Sequence, residues 1–419
     1  MLDIKFIREN LELCKQAAIN KNREVEWNRL LDLDELRRSL QHELDDIRFT
    51  RNEVAKKGVI GKTDKDIQEK GRMYKERIKD YEGRLRKVEK EYSELMLTVP
   101  NVPDAGVPVG KDSTSNVEIK KWGKLPNFDF SVKDHIELAT KLDLIDFERG
   151  AKVAGRRAYF LKNEAAQVEL ALMWYTMSKL IAKGYTPLIA PSLVKEFTLV
   201  GNGQFPWGRE EVYRMEKDDV YLAGTAEVPV TAYFSGETLE EKDLPKKFVA
   251  FSPCFRREAG SYGKDTKGVY RLHQFNKIEQ VIISTNDLNN SFTLHEELLA
   301  NAEEILQDLE LPYRVLLMCT GDMGEPQVKK YDIETWMPGR GAYGETMSNS
   351  VMGDFQARRL KIRYKTKDGK TLYCHTLNNT AIASPRILIA ILENYQQKDG
   401  SVRVPKVLQA FLGKEFIRR

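Results

Sequence analysis

Between Phe255 and Glu279 the chain reads FRREAGSYGKDTKGVYRLHQFNKIE. The second arm of this segment carries a chemically useful side chain at every other position: Arg271, His273, Phe275, Lys277 and Glu279. A strand sends alternate side chains to opposite faces, so the spacing predicts one wall lined by all five. Arg256, Arg257 and Glu258 close the first arm, and AGSYGKDTKG forms a mobile turn between the two. Arginine forks grip phosphate through paired hydrogen bonds, which lysine cannot do. Phe275 offers a stacking face to a flat base, with an arginine on the opposite side. Such a wall suits a ligand that carries phosphate, a base and an amine. A solvent-exposed amphipathic hairpin would show the same alternation.

Three further stretches hold candidate chemistry. In LAGTAEVPV, Thr225 and Ala226 are small enough for a backbone to approach a ligand, and Glu227 can fix a cation. A turn before a helix reads the same way. In YGETMSNSVMGDFQARR, Glu345 and Ser348 are a carboxylate and a hydroxyl three residues apart. They suit a hard cation such as Mg²⁺, whose preferred ligands are oxygens, although an ordinary polar turn has that spacing too. In HTLNNTAIASPRILIAILENYQ, from His375, Ser384 and Pro385 are predicted as N-cap and first helical residue. The following helix is apolar on all sides from Ile387 to Leu392, and therefore buried. Arg386 falls in its first turn and needs an anionic partner. That partner is either a bound anion, favoured at a helix N-terminus, or a structural acid such as Glu393.

The elements that position these residues fall into two textures. Apolar residues recur at Leu33, Leu36, Leu40, Leu44, Ile47 and Val54, then at Ile67, Tyr74, Ile78, Tyr81, Leu85, Val88, Tyr92, Leu95 and Val99. From Tyr74 onward the steps alternate between four and three, a heptad seam. The break GVIGKTD, Gly58 to Asp64, offers a turn and an N-cap at Thr63 or Asp64. Two long helices joined so closely must run antiparallel, as an arm over about residues 30–98. From Arg48 to Lys87 there are fourteen Lys/Arg and seven Asp/Glu, while the whole chain has 67 and 63, net +4. A basic excess confined to one segment points to a polyanion met at one place; a solvated helix pair would carry similar charge.

At 419 residues, 41% of them hydrophobic, two or three domains are expected. Residues 1–100 form the first. Residues 101–123, rich in Pro and Gly, read as a linker. Residues 124–419 form the second, with helices predicted over Val132–Leu142, Glu164–Lys183 and Arg386–Gln396. Strands are predicted over Tyr185–Ile189, Val212–Met215, Val220–Leu222, Phe248–Phe255, Val269–Ile283, Tyr313–Leu317, Ala357–Tyr364 and Leu372–Thr376. That order is an α+β fold: an antiparallel sheet flanked by helices. No glycine-rich strand-to-helix turn has phosphate-loop spacing, which excludes a Rossmann or P-loop site. Cys14, Cys254, Cys319 and Cys374 show no zinc spacing. With no secretion signal at MLDIKFIREN and no membrane-length apolar run, a soluble cytoplasmic protein with reduced thiols is expected.

These sites, in this order, resemble the class II aminoacyl-tRNA synthetases, and specifically the seryl-tRNA synthetase family. The resemblance covers nearly the whole chain: LDIKFIREN, the arm, TAEVP, FRxEAG…RxHQFxKxEQ, CTGDMG, DFQARR and AILENYQ. Gly184–Pro191 resembles the first class II motif, with Pro191 at a dimer interface; the hairpin resembles the second and the Arg386 helix the third. The resemblance implies a homodimer with a class II antiparallel sheet domain that activates L-serine with Mg·ATP and loads tRNA(Ser), with tRNA(Sec) as a further candidate. It implies ATP contacts from Arg256, Arg257, Glu258, Arg271, Leu272, Phe275, Glu345, Thr346, Met347, Ser348 and Arg386, with Glu345 and Ser348 on the metal. It implies a serine pocket of Thr225, Ala226, Glu227, Arg256, Glu279, Asn378 and Thr380, catalysis by Arg256, Glu279 and Arg386, and an arm that clasps the tRNA. Where the family has NGSGLAVGR this chain has NNTAIASPR: glycines give way at Asn379, Ala381 and Pro385, and Thr380 replaces a serine. The family's Ser-Asn pair near Glu345 reads Ser350-Val351. The alternatives are a paralogue that loads a carrier protein, and a non-catalytic RNA-binding protein that kept the fold.

Overall fold

The heptad seam folds as its spacing predicts. In the computed structural model, which describes residues 1–60, 65–259 and 267–419, helix α1 runs Trp27–Ile60 and α2 runs Lys65–Thr98. At 1.5 Å per residue, each is about 50 Å long. Their seam buries Leu40, Leu44, Ile47, Ile78 and Leu85, with Tyr74, Tyr81 and Val88 packed alongside. Polar rungs flank it. Arg29 forks onto Glu91 at 2.6 and 2.7 Å, Tyr81 Oη donates to Glu43 at 2.7 Å, and Arg48 meets Glu82 at 2.9 Å. Arg29 near the start of α1 meets Glu91 near the end of α2, while Glu43 and Arg48 meet Tyr81 and Glu82, so the pair is antiparallel. Leu33 is buried as expected, whereas Leu36, also expected in the seam, is exposed; Leu30, which was not among the expected residues, is buried too. The predicted N-cap at Thr63 or Asp64 lies outside the described residues. This unit comprises Leu2–Ile19 and Arg23–Pro100.

The other unit comprises Met1, Asn20–Asn22 and Asn101–Arg419. Its centre is an eight-stranded sheet: β1 (Val117–Trp122), β2 (Thr186–Ile189), β3 (Lys246–Phe255), β4 (Gln274–Ser284), β5 (Tyr313–Leu317), β6 (Lys329–Met337), β7 (Ala342–Gly353) and β8 (His375–Ala383). Their order in space is β1-β5-β6-β7-β8-β4-β3-β2. Every pairing is antiparallel except β2 with β3. Helices α3 (Asn163–Ala182), α4 (Leu288–Asp308) and α5 (Ser384–Asn394) share one hydrophobic core with the sheet, through Leu172, Leu298, Ile305, Ile278, Ile282 and Ile389. The α+β reading of this unit holds.

Several boundaries differ from the sequence reading. The supposed linker contains β1, an edge strand paired with β5. The segment Val269–His273 is not strand; β4 begins at Gln274. Ala357–Tyr364, expected as a strand, starts inside a helix over Phe355–Leu360, and strand begins only at Arg363. An Arg358–Asp354 pair at 2.7 Å, spaced i,i+4, holds its first turn. The 21-residue α4 went unread, although Asp287 caps it by accepting from the amides of Asn289 and Asn290. The β6–β7 hairpin also went unread. Ser384 and Pro385 sit one place further along α5 than expected: Ala383 is the N-cap and makes no side-chain cap bond.

Candidate active site

Strand β4 supplies the floor of a cavity in the sheet unit. Phe275, Lys277 and Glu279 alternate along it and all three line the cavity, as the period of two requires. His273 does not join them. Lying before the strand begins, it turns its Nδ1 to Arg256 O at 3.0 Å and sets its ring edge-on to Tyr213. From β8 come Asn378 and Thr380; Thr225 comes from the loop before the short helix Glu227–Thr231, and Glu227 is that helix's first residue. Arg256 follows β3, and the chain then leaves through the left-handed residue Glu258 (φ 53°). Gly224 runs against this turn: a Cβ there would come within 3.3 Å of Phe255 O. Of the turn AGSYGKDTKG, residues 260–266 lie outside the described residues.

Glu345 and Ser348 also line the cavity, although their separation of three would put them on opposite faces of a regular strand. A β-bulge resolves this. Ile333 pairs with Met347 but Glu334 pairs with Glu345, so Thr346 is an extra residue on β7 and the phase is reset. The hydroxyl of Thr346 is used internally, 2.7 Å from Thr335 Oγ1. Met347 and Leu272 complete the lining, both buried. Two predicted contacts fall outside it. Arg257 is exposed, 3.5 Å from Glu210, and Ala226 packs in a small apolar cluster with Val230, Phe248 and Val281.

The charges are arranged in pairs with one exception. Arg386 meets Glu345 Oε2 at 3.1 Å, donates to Glu345 O at 2.9 Å and to Tyr270 O at 3.2 Å, and lies 4.5 Å over the Tyr270 ring. Its acid is therefore Glu345; Glu393 instead receives the amides of His135 and Gly339. Arg271 pairs with Glu258 at 3.1 Å, and Lys277 with Glu279. Arg256 alone among these cations has no carboxylate within ion-pairing reach among the described residues. It donates Nε to Gly224 O at 3.3 Å and lies 5.3 Å over the Phe275 ring. Sequence reasoning did not put Gln204, Val269 or Tyr270 among the site residues; Lys277 lies on the wall that the alternation predicts but carries no ligand role there. Tyr270 had no periodic signal, because it precedes the strand.

The same pairing sets the titration of the carboxyls. Burial pushes the Glu345 carboxyl up, but Arg386, Lys330 and Arg256 together outweigh it and hold it at about 2. Burial, with the charge of Glu279 adding to it, raises Glu227, against hydrogen bonds from the Gln356 and Asn202 amides. Glu227 Oε1 collects three amide donors: Asn378 at 2.8 Å, Asn202 at 2.9 Å and Gln356 at 2.9 Å. Glu345 and Ser348 fit a magnesium ion: both donors are hard oxygens, the carboxylate is ionised, and Mg²⁺ characteristically takes one or two carboxylates alongside substrate phosphates and water.

The antiparallel sheet, with arginines entering one cavity from β3 and from α5, defines a class II aminoacyl-tRNA synthetase core. The family description "tRNA synthetase class II core domain (G, H, P, S and T)" matches residues 211–395, and "Seryl-tRNA synthetase N-terminal domain" matches residues 1–103. The chain is similar to the serine–tRNA ligase of Deinococcus radiodurans, 46% identical over 99% of this chain and 98% of the other. It is 45% identical to that of Dictyoglomus turgidum over 100% and 99%. Among solved structures it is similar to seryl-tRNA synthetase from Pyrococcus horikoshii complexed with ATP, at TM-score 0.92 and 41% identity, covering 100% of this chain and 99% of that one. The chain belongs to the seryl-tRNA synthetase family.

Proposed function

We propose that this cavity forms seryl-adenylate from L-serine and ATP and then passes the seryl group to the terminal ribose of tRNA(Ser). The observation that carries the reading is the unpaired guanidinium of Arg256, set between a small polar pocket and a stacking ring. A cation that lacks an acid of its own is matched to an anion that arrives with the substrate. Arg256 would bridge the serine carboxylate and the α-phosphate. Arg386, braced by Glu345 and Tyr270, would take the γ-phosphate. Arg271 and Glu258 lie on the nucleotide side, and Phe275 stacks under adenine with Arg256 on its other face.

A carboxylate oxygen of serine attacks the α-phosphorus, and the bond to the bridging oxygen of pyrophosphate breaks. No enzyme nucleophile takes part. Catalysis is alignment of the reactants and neutralisation of charge at the phosphate, supplied by preorganised guanidinium groups. Magnesium held by Glu345 and Ser348 would add Lewis-acid neutralisation of the phosphates. Glu279, Thr225, Glu227, Asn378 and Thr380 would surround the serine ammonium and hydroxyl. A pocket built to bond a hydroxyl rejects alanine, because its polar groups are otherwise left unpaired.

Two surfaces extend the reading beyond the cavity. The basic distal half of the α1–α2 arm would clasp the tRNA through phosphate contacts and shape. Leu170, Trp174 and Ile181 form an exposed apolar stripe on α3, and Ile189 on β2 is 84% exposed. Such a surface suits a second copy of the chain and a homodimer. Among the described residues no helix is long and apolar enough to cross a membrane; a cytoplasmic place also suits four buried free thiols. The test is ATP–pyrophosphate exchange with serine, alanine and threonine, followed by charging of tRNA(Ser) and tRNA(Sec). Exchange that depends on serine together with charged tRNA(Ser) supports the reading. Exchange without any charging would favour a carrier-loading paralogue, and no exchange at all a non-catalytic RNA-binding protein.

A further inference from the structure

Lys277 is 4% exposed, yet its ammonium reaches the wall of the cavity. It donates to Thr225 Oγ1 at 2.7 Å, to Thr380 Oγ1 at 3.3 Å and to Glu279 Oε2. These are three of the groups assigned above to serine. An ammonium has three hydrogens and no lone pair, so each threonine hydroxyl must accept from it. Each hydroxyl's own hydrogen is then left for Glu279 Oε2, 3.4 Å from Thr225 Oγ1 and 3.3 Å from Thr380 Oγ1. The second lone pair of Thr225 is taken by the amide of Glu227 at 3.1 Å. Glu279 Oε2 is saturated by three donors. Glu227 Oε1 is saturated by three amides.

What remains free on Glu227, Glu279, Thr225 and Thr380 is Glu279 Oε1, Glu227 Oε2 and one lone pair of Thr380, all acceptors, while Asn378, which gives one amide hydrogen to Glu227, keeps the other. A wall of this kind takes a ligand with one ammonium and one hydroxyl hydrogen to give. We propose that Lys277 is a specificity-setting positioning residue: by committing all three of its hydrogens to Thr225, Thr380 and Glu279, it holds both threonine hydroxyl hydrogens on Glu279, leaves Thr380 and Glu279 as acceptors toward the cavity, and so selects an amino acid that bears a hydroxyl. The proposal rests on reading the cavity as the serine pocket. A buried ion pair is a poor stability device, since an apolar residue of similar volume often serves the fold as well. The role of Lys277 is therefore recognition.

Without the ammonium, both threonine hydroxyls are free to turn their hydrogens into the cavity, where they would oppose the ligand's own donors. The test uses Lys277→Met and Lys277→Gln in serine-dependent pyrophosphate exchange, with alanine as competitor. For Lys277→Met the expected result is a rise in serine KM of about 10- to 100-fold, the range for a lost charge-assisted hydrogen bond. The KM for ATP stays within about threefold, and the serine-to-alanine ratio of kcat/KM falls by about tenfold or more. Lys277→Gln, which keeps two donors, falls between. A Lys277→Met enzyme that retains both the serine KM and the serine-to-alanine ratio of the wild type would overturn the proposal. A wild-type chain that ignores serine would instead sink the functional reading beneath it.

Discussion

Arg256→Ala separates the chemistry of the cavity from its construction. In the folded chain this arginine makes one neutral-acceptor hydrogen bond, to Gly224 O at 3.3 Å, and one ring contact, 5.3 Å over Phe275. The first contributes about 0.5–1.5 kcal/mol and the second about 0.5–1 kcal/mol. No buried acid is orphaned by the change, because none is paired with it among the described residues. The stability loss is therefore about 1–2.5 kcal/mol, a fall in Tm of less than about 10 °C. In the reaction the same guanidinium is asked for two charge-assisted bonds, one to the serine carboxylate and one to the α-phosphate. Each contributes about 1.5–3 kcal/mol, so their joint loss lowers kcat/KM by about 10²- to 10⁴-fold. Lysine restores the charge but not the fork, and should recover only part of the loss. The assay is serine-dependent pyrophosphate exchange beside a thermal melt of the same preparation. Exchange within about tenfold of wild type in a folded Arg256→Ala enzyme would refute the role.

Four other outcomes follow from the same geometry. Glu345→Gln removes the ionised partner of Arg386 and one oxygen donor for magnesium; the Mg²⁺ concentration for half-maximal exchange should rise by about tenfold, and an unchanged value rules out the metal role. Glu345 is held at about 2 against an ordinary 4.5, so its contribution is fully present above pH 4.5 and is lost only as pH falls toward 2. The KM for ATP should accordingly stay flat from pH 8 down to 5, and a Glu345-dependent rise in that window contradicts the ion pair. Replacing Arg48–Lys87 by a short Gly-Ser turn should leave pyrophosphate exchange intact and reduce tRNA charging by about 10²-fold or more; charging at the parental rate means the arm is not the clasp. Trp174→Glu puts a charge into the exposed stripe of α3, so the proposed homodimer should come apart to a monomer in sedimentation, and a dimer that persists in this variant places the interface elsewhere.

The alternation of Phe275, Lys277 and Glu279 was legible because strand period is a local property, set by the backbone alone. The heptad of Tyr74 to Val99 was legible for the same reason, and so were the arm and the buried α5. What escaped was whatever depends on partners remote in the chain. The helix at Phe355–Leu360 also fits a strand on sequence, because its three apolar residues, Phe355, Ala357 and Leu360, set no decisive period, and packing arbitrates there. His273 fits the alternation of the hairpin and still faces away, since the ladder starts only at Gln274. Glu345 and Ser348 share a face only because Thr346 bulges against β6, a register that neither strand carries by itself. Residue identity and local period determined which groups were available for chemistry. Their pairing was decided by the tertiary structure: Arg386 to Glu345, Arg271 to Glu258, Lys277 to Glu279 and Arg256 to none of them. A charge takes its partner from whatever the fold brings within a few ångströms, and that distance is not written in sequence separation.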